Sequence, residues 1–257
     1  MVKRTIKRIL QIVIPSKAFL EVLILYRRFK ECELKILPLL CDQSKVSIDV
    51  GASDGLYLAP MRKCSKHCIA FEPRSVAKKD LDYLFRKCAN VTIEEVALSN
   101  YTGEAKLQIF KDDEGRSTIE KENDLTSEGS VEIVDVPVIK LDDYIFQEEV
   151  GFIKIDVEGH EENVLQGALS MLKKFHPNIL IEIEERHNKR SFNRVQFLLQ
   201  AEGYKGFIYL DHKLKSIDNA DISNLQNLKL FGTSHYIYNF IFIHEKKLKK
   251  FTSLMKI

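Results

Sequence analysis

The sequence predicts an α/β fold, a mostly parallel sheet of about seven strands with helices on both faces, and three observations predict it. From residue 46 onward, short apolar runs alternate with stretches of helical periodicity. Two of those runs end in acidic residues followed by glycine turns, the pattern of strands that open onto a ligand crevice. One polar stretch with strand-like alternation breaks the rhythm and reads as an insertion.

Val46 to Val50 is the first strand, and residues 68–71 form the second. Val76, Leu81, Leu84, Phe85 and Cys88 then line one face of a helix before a third strand at 91–96. Residues 97–140 are the insertion, a β-hairpin with strands at 107–110 and 131–138 around a mobile polar loop at 111–130. The alternation resumes with a buried strand at 152–156 and a helix carrying Val164, Leu165, Ala168, Leu169 and Leu172. A fifth strand at 179–183 precedes a helix with Val195, Leu198 and Leu199 that stops at Gly203. Strands at 206–210 and 236–243 complete the sheet. The chain divides into a helical segment, 1–45, and one large domain, 46–257.

Hydrophobic residues at 45% and charged residues at 30% exclude a disordered, collagenous or polytopic membrane chain. Thirty-nine basic against 37 acidic residues leave a formal charge of +2, too small for the field of a nucleic-acid-binding protein, so no nucleic-acid partner is expected. Both ends are basic. The first 35 residues hold nine basic and three acidic side chains, and residues 245–257 hold five lysines and one glutamate. Ile6, Ile9, Leu10 and Val13, and after Pro15 Phe19, Leu20, Leu23 and Ile24, form the apolar stripes of two amphipathic helices. Their basic faces suit peripheral contact with an anionic membrane or polysaccharide surface, or the pair covers one side of the domain; both readings stand. The start lacks a small-residue cleavage site and a run of about 20 apolar residues, so neither secretion nor a span is expected. Five cysteines without paired CxxC spacing indicate a reduced, cytoplasmic setting, with Cys64 and Cys68 read as packing residues beside His67.

The stretch Ser47-Ile48-Asp49-Val50-Gly51-Ala52-Ser53-Asp54-Gly55 runs a strand into a glycine turn. Gly51 and Gly55 allow close backbone approach to a ligand. A pyrophosphate cradle has glycines spaced GxGxxG, whereas this turn has GxxxG with Asp49 two residues before the first. A carboxylate there suits an ammonium group, and S-adenosylmethionine carries one and no phosphate. Glu72, twenty-one residues after Gly51 at the end of the second strand, is placed to accept hydrogen bonds from ribose hydroxyls. Glu95, at the end of the third strand, is the candidate adenine contact.

The segment Gly151-Phe152-Ile153-Lys154-Ile155-Asp156-Val157-Glu158-Gly159-His160-Glu161 is the second strong signal. Lys154, Asp156 and Glu158 alternate at the end of an apolar strand, where burying charge is costly unless it is used. Asp156 and His160 are the candidate general bases. Glu182 and Glu184 add a second acidic strand end, which leaves open a divalent cation shared through oxygen ligands, an acid/base pair, or simple repulsion across solvent.

Together these pieces resemble the FkbM family of S-adenosylmethionine-dependent methyltransferases over residues 46–185. The resemblance rests on Ile48-Asp49-Val50-Gly51-Ala52, Phe71-Glu72-Pro73, Val96-Ala97-Leu98-Ser99, Leu141-Asp142-Asp143-Tyr144 and Ile153-Lys154-Ile155-Asp156-Val157-Glu158-Gly159. It implies a Rossmann-like class I methyltransferase fold and O-methylation of a hydroxyl on a sugar, glycan or small secondary metabolite. It also implies Asp49, Gly51 and Glu72 at the cofactor and Asp156 at the chemistry. Ser53-Asp54 departs from the family pattern, so no cofactor role is carried to Asp54. Two other functions fit the same fold: an NAD-dependent oxidoreductase, and a non-catalytic module docking to a membrane surface or an assembly.

Overall fold

The computed structural model describes residues 32–255 except 112, 114, 128, 219 and 234. The two amphipathic helices expected near the N-terminus therefore lie outside the described residues, as does most of the basic segment. A single 3-10 turn, Cys32–Lys35, and the short helix α1 (Leu37–Leu40) lead into the sheet.

The strands are β1 (Val46–Val50), β2 (His67–Phe71), β3 (Val91–Glu94), β4 (Ala97–Leu98), β5 (Gly103–Phe110), β6 (Ser117–Thr118), β7 (Val131–Ile139), β8 (Val150–Ile155), β9 (Asn178–Glu182), β10 (Tyr204–Leu210), β11 (Lys213–Ser216) and β12 (Asn239–His244). The main sheet has eight strands in the order β11-β10-β12-β9-β8-β1-β2-β3. The half from β9 to β3 is parallel, while β9 with β12, β12 with β10 and β10 with β11 pair antiparallel. This is the α/β sheet expected, with one strand more and a larger antiparallel share. The extra strand is β11, which the exposed, lysine-rich sequence Lys213–Ser216 conceals because a hairpin edge strand needs few apolar residues.

The crossover helices are α2 (Leu58–Cys64), α3 (Ser75–Phe85), α4 (Glu161–Gln166), α5 (Leu169–Phe175) and α6 (Ser191–Ala201). Every residue of β1 and β8 is buried, as a parallel sheet covered on both faces requires. The period-two alternation splits their side chains between two cores. Val46, Ile48 and Val50 pack with Ile153, Ile155, Val164, Leu165 and Leu199 on one face. Phe152 joins Leu58, Met61, Ala70, Leu84 and Phe85 on the other. By parity Asp49, Glu72, Lys154, Asp156 and Glu182 share that second face at the carboxyl ends of β1, β2, β8 and β9.

The insertion forms its own four-stranded sheet, order β4-β7-β5-β6, with β5 and β7 as the expected hairpin. Residues 111–130 carry β6 and a 3-10 turn, Leu125–Ser127, and are pinned to the end of β8. The Thr118 hydroxyl donates to the Glu158 carbonyl at 2.9 Å, and the Asn123 amide donates to the same oxygen at 2.7 Å. Among the described residues no helix is long and apolar enough to cross a membrane.

Candidate active site

A cleft of about 880 Å³ opens at the carboxyl ends of β1, β2 and β8. Its walls include Asp49, Gly51, Glu72, Lys154, Asp156 and His160, and the insertion closes one side with Lys111, Arg116 and Thr118.

Asp49 is buried and one carboxylate oxygen, Oδ2, has no hydrogen-bond partner. Burial pushes its carboxyl up to about 7; Lys154 pulls it down, while Asp156, Glu72 and Asp54 push it up. Lys154, 1% exposed, lies across from Asp49 in the β1–β8 register. Its ammonium donates to the Ile155 carbonyl at 3.2 Å, sits 3.7 Å from the Asp156 carboxylate and stands 4.9 Å from the centre of the Tyr57 ring. Glu182, also lining the cleft, is raised well above the usual carboxylate range by burial and then by Asp156, with Lys154 opposing.

Gly51 adopts φ +78°, and a Cβ there would fall 1.9 Å from the Asp156 carbonyl oxygen. The turn after β1 is thus pressed onto the turn after β8, which brings Asp49 and Asp156 to one hollow. Gly55 is different from the expectation: it lies outside the cleft lining, and a Cβ there would strike Phe85 and Leu81 of α3 at 2.8 and 2.9 Å. Its role is to seat the turn against α3, because the chain has no room for a side chain between them.

Glu72 is almost fully buried, and its carboxylate is already surrounded by donors. The Arg74 amide and Nε donate to Oε1 at 3.0 and 2.8 Å, and Arg74 Nη2 and the Ser53 amide donate to Oε2 at 3.0 and 2.8 Å. These four donors match the roughly four acceptor positions of a carboxylate, so any further hydroxyl must take the place of one of them. Glu95 points elsewhere. It is exposed, absent from the cleft lining, and accepts a short hydrogen bond from Ser75 Oγ. Val96, Ala97 and Leu98 line the cleft beside it.

Asp156 is about one-third exposed at the mouth, with a side-chain accessibility of 35%. His160 is buried, and both ring nitrogens are engaged, Nε2 with Ser99 Oγ at 2.8 Å and Nδ1 with Glu120 Oε2 at 2.9 Å. Burial raises the Glu120 carboxyl, but the bonds from His160 and the Glu122 amide outweigh it and hold the group below its usual range. Glu158 and Glu161 are pushed up to about 8 and about 7, both by burial first. For Glu158, the charges of Asp156 and Glu161 come next; for Glu161, the Gly159 amide opposes the rise by donating to Oε1 at 2.8 Å. Among the described residues no group of three or more His, Cys, Asp or Glu is arranged to hold a metal ion. Asp156 and Glu182 lie under the charge of Lys154, while Glu184 accepts hydrogen bonds from Arg186 and the Tyr236 hydroxyl.

Arg74, Tyr57 and Glu120 were not picked out by sequence, and Ser99 only as the end of the motif Val96-Ala97-Leu98-Ser99. Arg74 directly follows Glu72-Pro73 and was legible there as a counter-ion. The other three meet the site only through long-range packing.

A family model described as the methyltransferase FkbM domain matches residues 49–206. The chain belongs to this family. Its members are S-adenosylmethionine-dependent methyltransferases, which the structural likeness accompanies at the level of the fold. The methyltransferase FkbM from Methylobacillus flagellatus KT superposes with a TM-score of 0.50 at 15% identity, covering 92% of this chain and 57% of that one. This FkbM-domain chain therefore spans little more than half the length of that relative. SMU.1697c of Streptococcus mutans, a putative methyltransferase in complex with SAH, gives 0.46 at 9% identity, covering 83% of this chain and 96% of that one. An rRNA methylase from Streptococcus thermophilus gives 0.44 at 11% identity, covering 82% and 92%. No curated protein matches the chain.

The residues of the cleft fit S-adenosylmethionine. Asp49 has an orphaned carboxylate oxygen of the kind an amine would satisfy, and the Glu72 carboxylate at the end of β2 could accept hydroxyls only by giving up donors from Arg74 or Ser53.

Proposed function

We propose that this FkbM-domain protein transfers a methyl group from S-adenosylmethionine to a hydroxyl of a sugar, glycan or small secondary metabolite. One observation carries the reading: Asp49, Glu72 and Asp156, from three different strands, line a single cleft. S-adenosylmethionine supplies an electrophilic methyl group, so the protein's work is alignment and proton removal. Asp49, backed by Lys154, would hold the amine. Glu72 would accept the ribose hydroxyls in exchange for Arg74 donors, and the insertion, through Lys111 and Arg116, would bound the acceptor.

Asp156 is the assigned general base. It is open to the cleft, whereas His160 has both nitrogens occupied and holds the insertion to the turn after β8 through Glu120. His160 is thus a positioning residue in this scheme. Calorimetry tests the cofactor: S-adenosylhomocysteine should bind saturably and NADH should not, and the reverse result would transfer the protein to the oxidoreductases. With an acceptor in hand, Asp156→Asn should keep cofactor affinity and lose turnover by about 100-fold or more. A fully active Asp156→Asn enzyme would remove the base from this strand.

A further inference from the structure

A second hollow, of about 280 Å³, lies at the opposite end of the strands, where β1, β8 and β9 begin. Lys45 precedes β1, Gly151 stands at the start of β8, and Asn178 opens β9. The remaining wall is the 3-10 segment that follows β12, Glu245–Phe251, which presents Lys246, Lys247, Lys249 and Lys250. Five lysines therefore face one small concavity with Asp42 as the acidic residue in its lining.

The charges are unevenly compensated. Lys45 pairs with Glu149 at 2.7 Å, Lys250 donates to the Leu39 carbonyl at 2.7 Å, and Lys246 lies 3.4 Å from His176 Nε2. Asp42 accepts from the Ser44 amide and hydroxyl, at 2.9 and 2.6 Å. Lys247, half-buried between them, is influenced by Asp42 and Glu149 only at a distance, and both of those carboxylates already have partners. Burial, with the charges of Lys45 and Lys250 next, lowers its ammonium to about 8. Like charges gathered in a concave, partly desolvated place repel one another, and a multiply charged anion relieves that repulsion where a solvated lysine face needs none.

We propose that this basic hollow binds a phosphate group, at a site separate from the methyl-transfer cleft. The ligand chemistry follows from the donors. Ammonium groups from the segment after β12, with Lys45 ahead of β1, act as point charges that suit a compact tetrahedral dianion better than a planar carboxylate. The volume, small beside ordinary ligand pockets, admits a phosphate with a few attached atoms. Among the described residues no aromatic side chain lines it, so base stacking, the usual companion of single-stranded nucleic acid binding, has no platform there. The phosphate can come from a soluble ester or from a lipid headgroup, and the test separates the two.

The full chain is titrated with inorganic phosphate at pH 8 by calorimetry, at constant ionic strength against chloride, in buffers of different ionisation enthalpy. Saturable binding is expected, with uptake of about half a proton as Lys247 becomes fully charged. Lys247→Met should weaken binding about ten-fold or more and remove the proton uptake. Lys249→Ala, an exposed change away from the core, should weaken binding less. In parallel, phosphatidylcholine vesicles with and without phosphatidic acid are sedimented with each variant. A preference for phosphatidic acid that Lys247→Met abolishes assigns the lipid source; saturable phosphate binding without vesicle preference assigns a soluble ester. Absence of both, or phosphate binding unchanged in Lys247→Met, overturns the site.

Discussion

Lys154 on β8 stands directly across from Asp49 on β1, a buried cation whose charge acts on Asp49, Asp156 and Glu182. Its ammonium is 3.7 Å from Asp156 and lowers the carboxyls of Asp49 and Glu182 against a desolvation that raises both. A buried charge with this many opposite neighbours sets the protonation of the group that would meet the cofactor amine.

Lys154→Met is expected to drive Asp49 further above its present value of about 7, so that it is mostly protonated at neutral pH. Cofactor affinity should fall about ten-fold at pH 7 and recover as pH rises through the new Asp49 value, because only the carboxylate attracts the amine. Calorimetric titration of S-adenosylhomocysteine across pH 6 to 9 reads this directly. A uniform loss at every pH would indicate a packing role alone.

Glu72→Ala and Arg74→Ala should separate. Removing Glu72 takes away the acceptor and is expected to weaken cofactor binding about 10- to 100-fold. Removing Arg74 frees acceptor positions on Glu72 and should weaken binding less than ten-fold. A larger loss from Arg74→Ala than from Glu72→Ala would contradict the assignment of Glu72 to the ribose.

Gly51→Ala places a Cβ 1.9 Å from the Asp156 carbonyl oxygen at φ +78°. Backbone in two turns would have to move, at an expected cost of about 3 kcal/mol or more. The thermal midpoint should fall by roughly 6 to 12 °C. Gly232, at φ +80° and with nothing within 4 Å of the place a Cβ would take, is the control, strained but unobstructed, and Gly232→Ala should cost about 1 kcal/mol.

Glu161 keeps its proton in the folded state up to about 7, against an ordinary value near 4.5. Between those two values the unfolded chain has released the proton and the native chain has not, so this group's contribution to stability falls as pH rises and is fully present only below about 4.5. Glu161→Gln, which keeps an oxygen for the Gly159 amide, should therefore gain stability relative to the parent from pH 5 to pH 8. Denaturant midpoints at the two pH values check it; a constant difference would mean that Glu161 is ionised throughout.

Much of the architecture was legible because it depends on local periodicity. The apolar runs of β1, β2, β8 and β9 and the helical stripe of α3 are statements about neighbours in the chain, and the hairpin of β5 and β7 shows in its alternation. The motif ends were legible too, since Asp49 sits at the end of an apolar strand and Glu72 and Asp156 each directly follow one. Glu95 and Gly55 misled for a physical reason. The acidic residue after β3 can turn either way once the strand has ended, and a positive-φ glycine satisfies packing against Phe85 as well as it would satisfy a ligand.

By itself the sequence determined most strands of the main sheet, though not β11, the acidic character of the strand ends and the family to which the chain belongs. Only the tertiary structure decided that Lys154 faces Asp49, that Arg74 fills Glu72, that Ser99 and Glu120 hydrogen-bond His160, and that the lysines after β12 gather at the far end of the sheet. Those are contacts between residues far apart in sequence, and they arise from the register of parallel strands and the docking of the insertion, which no local pattern encodes.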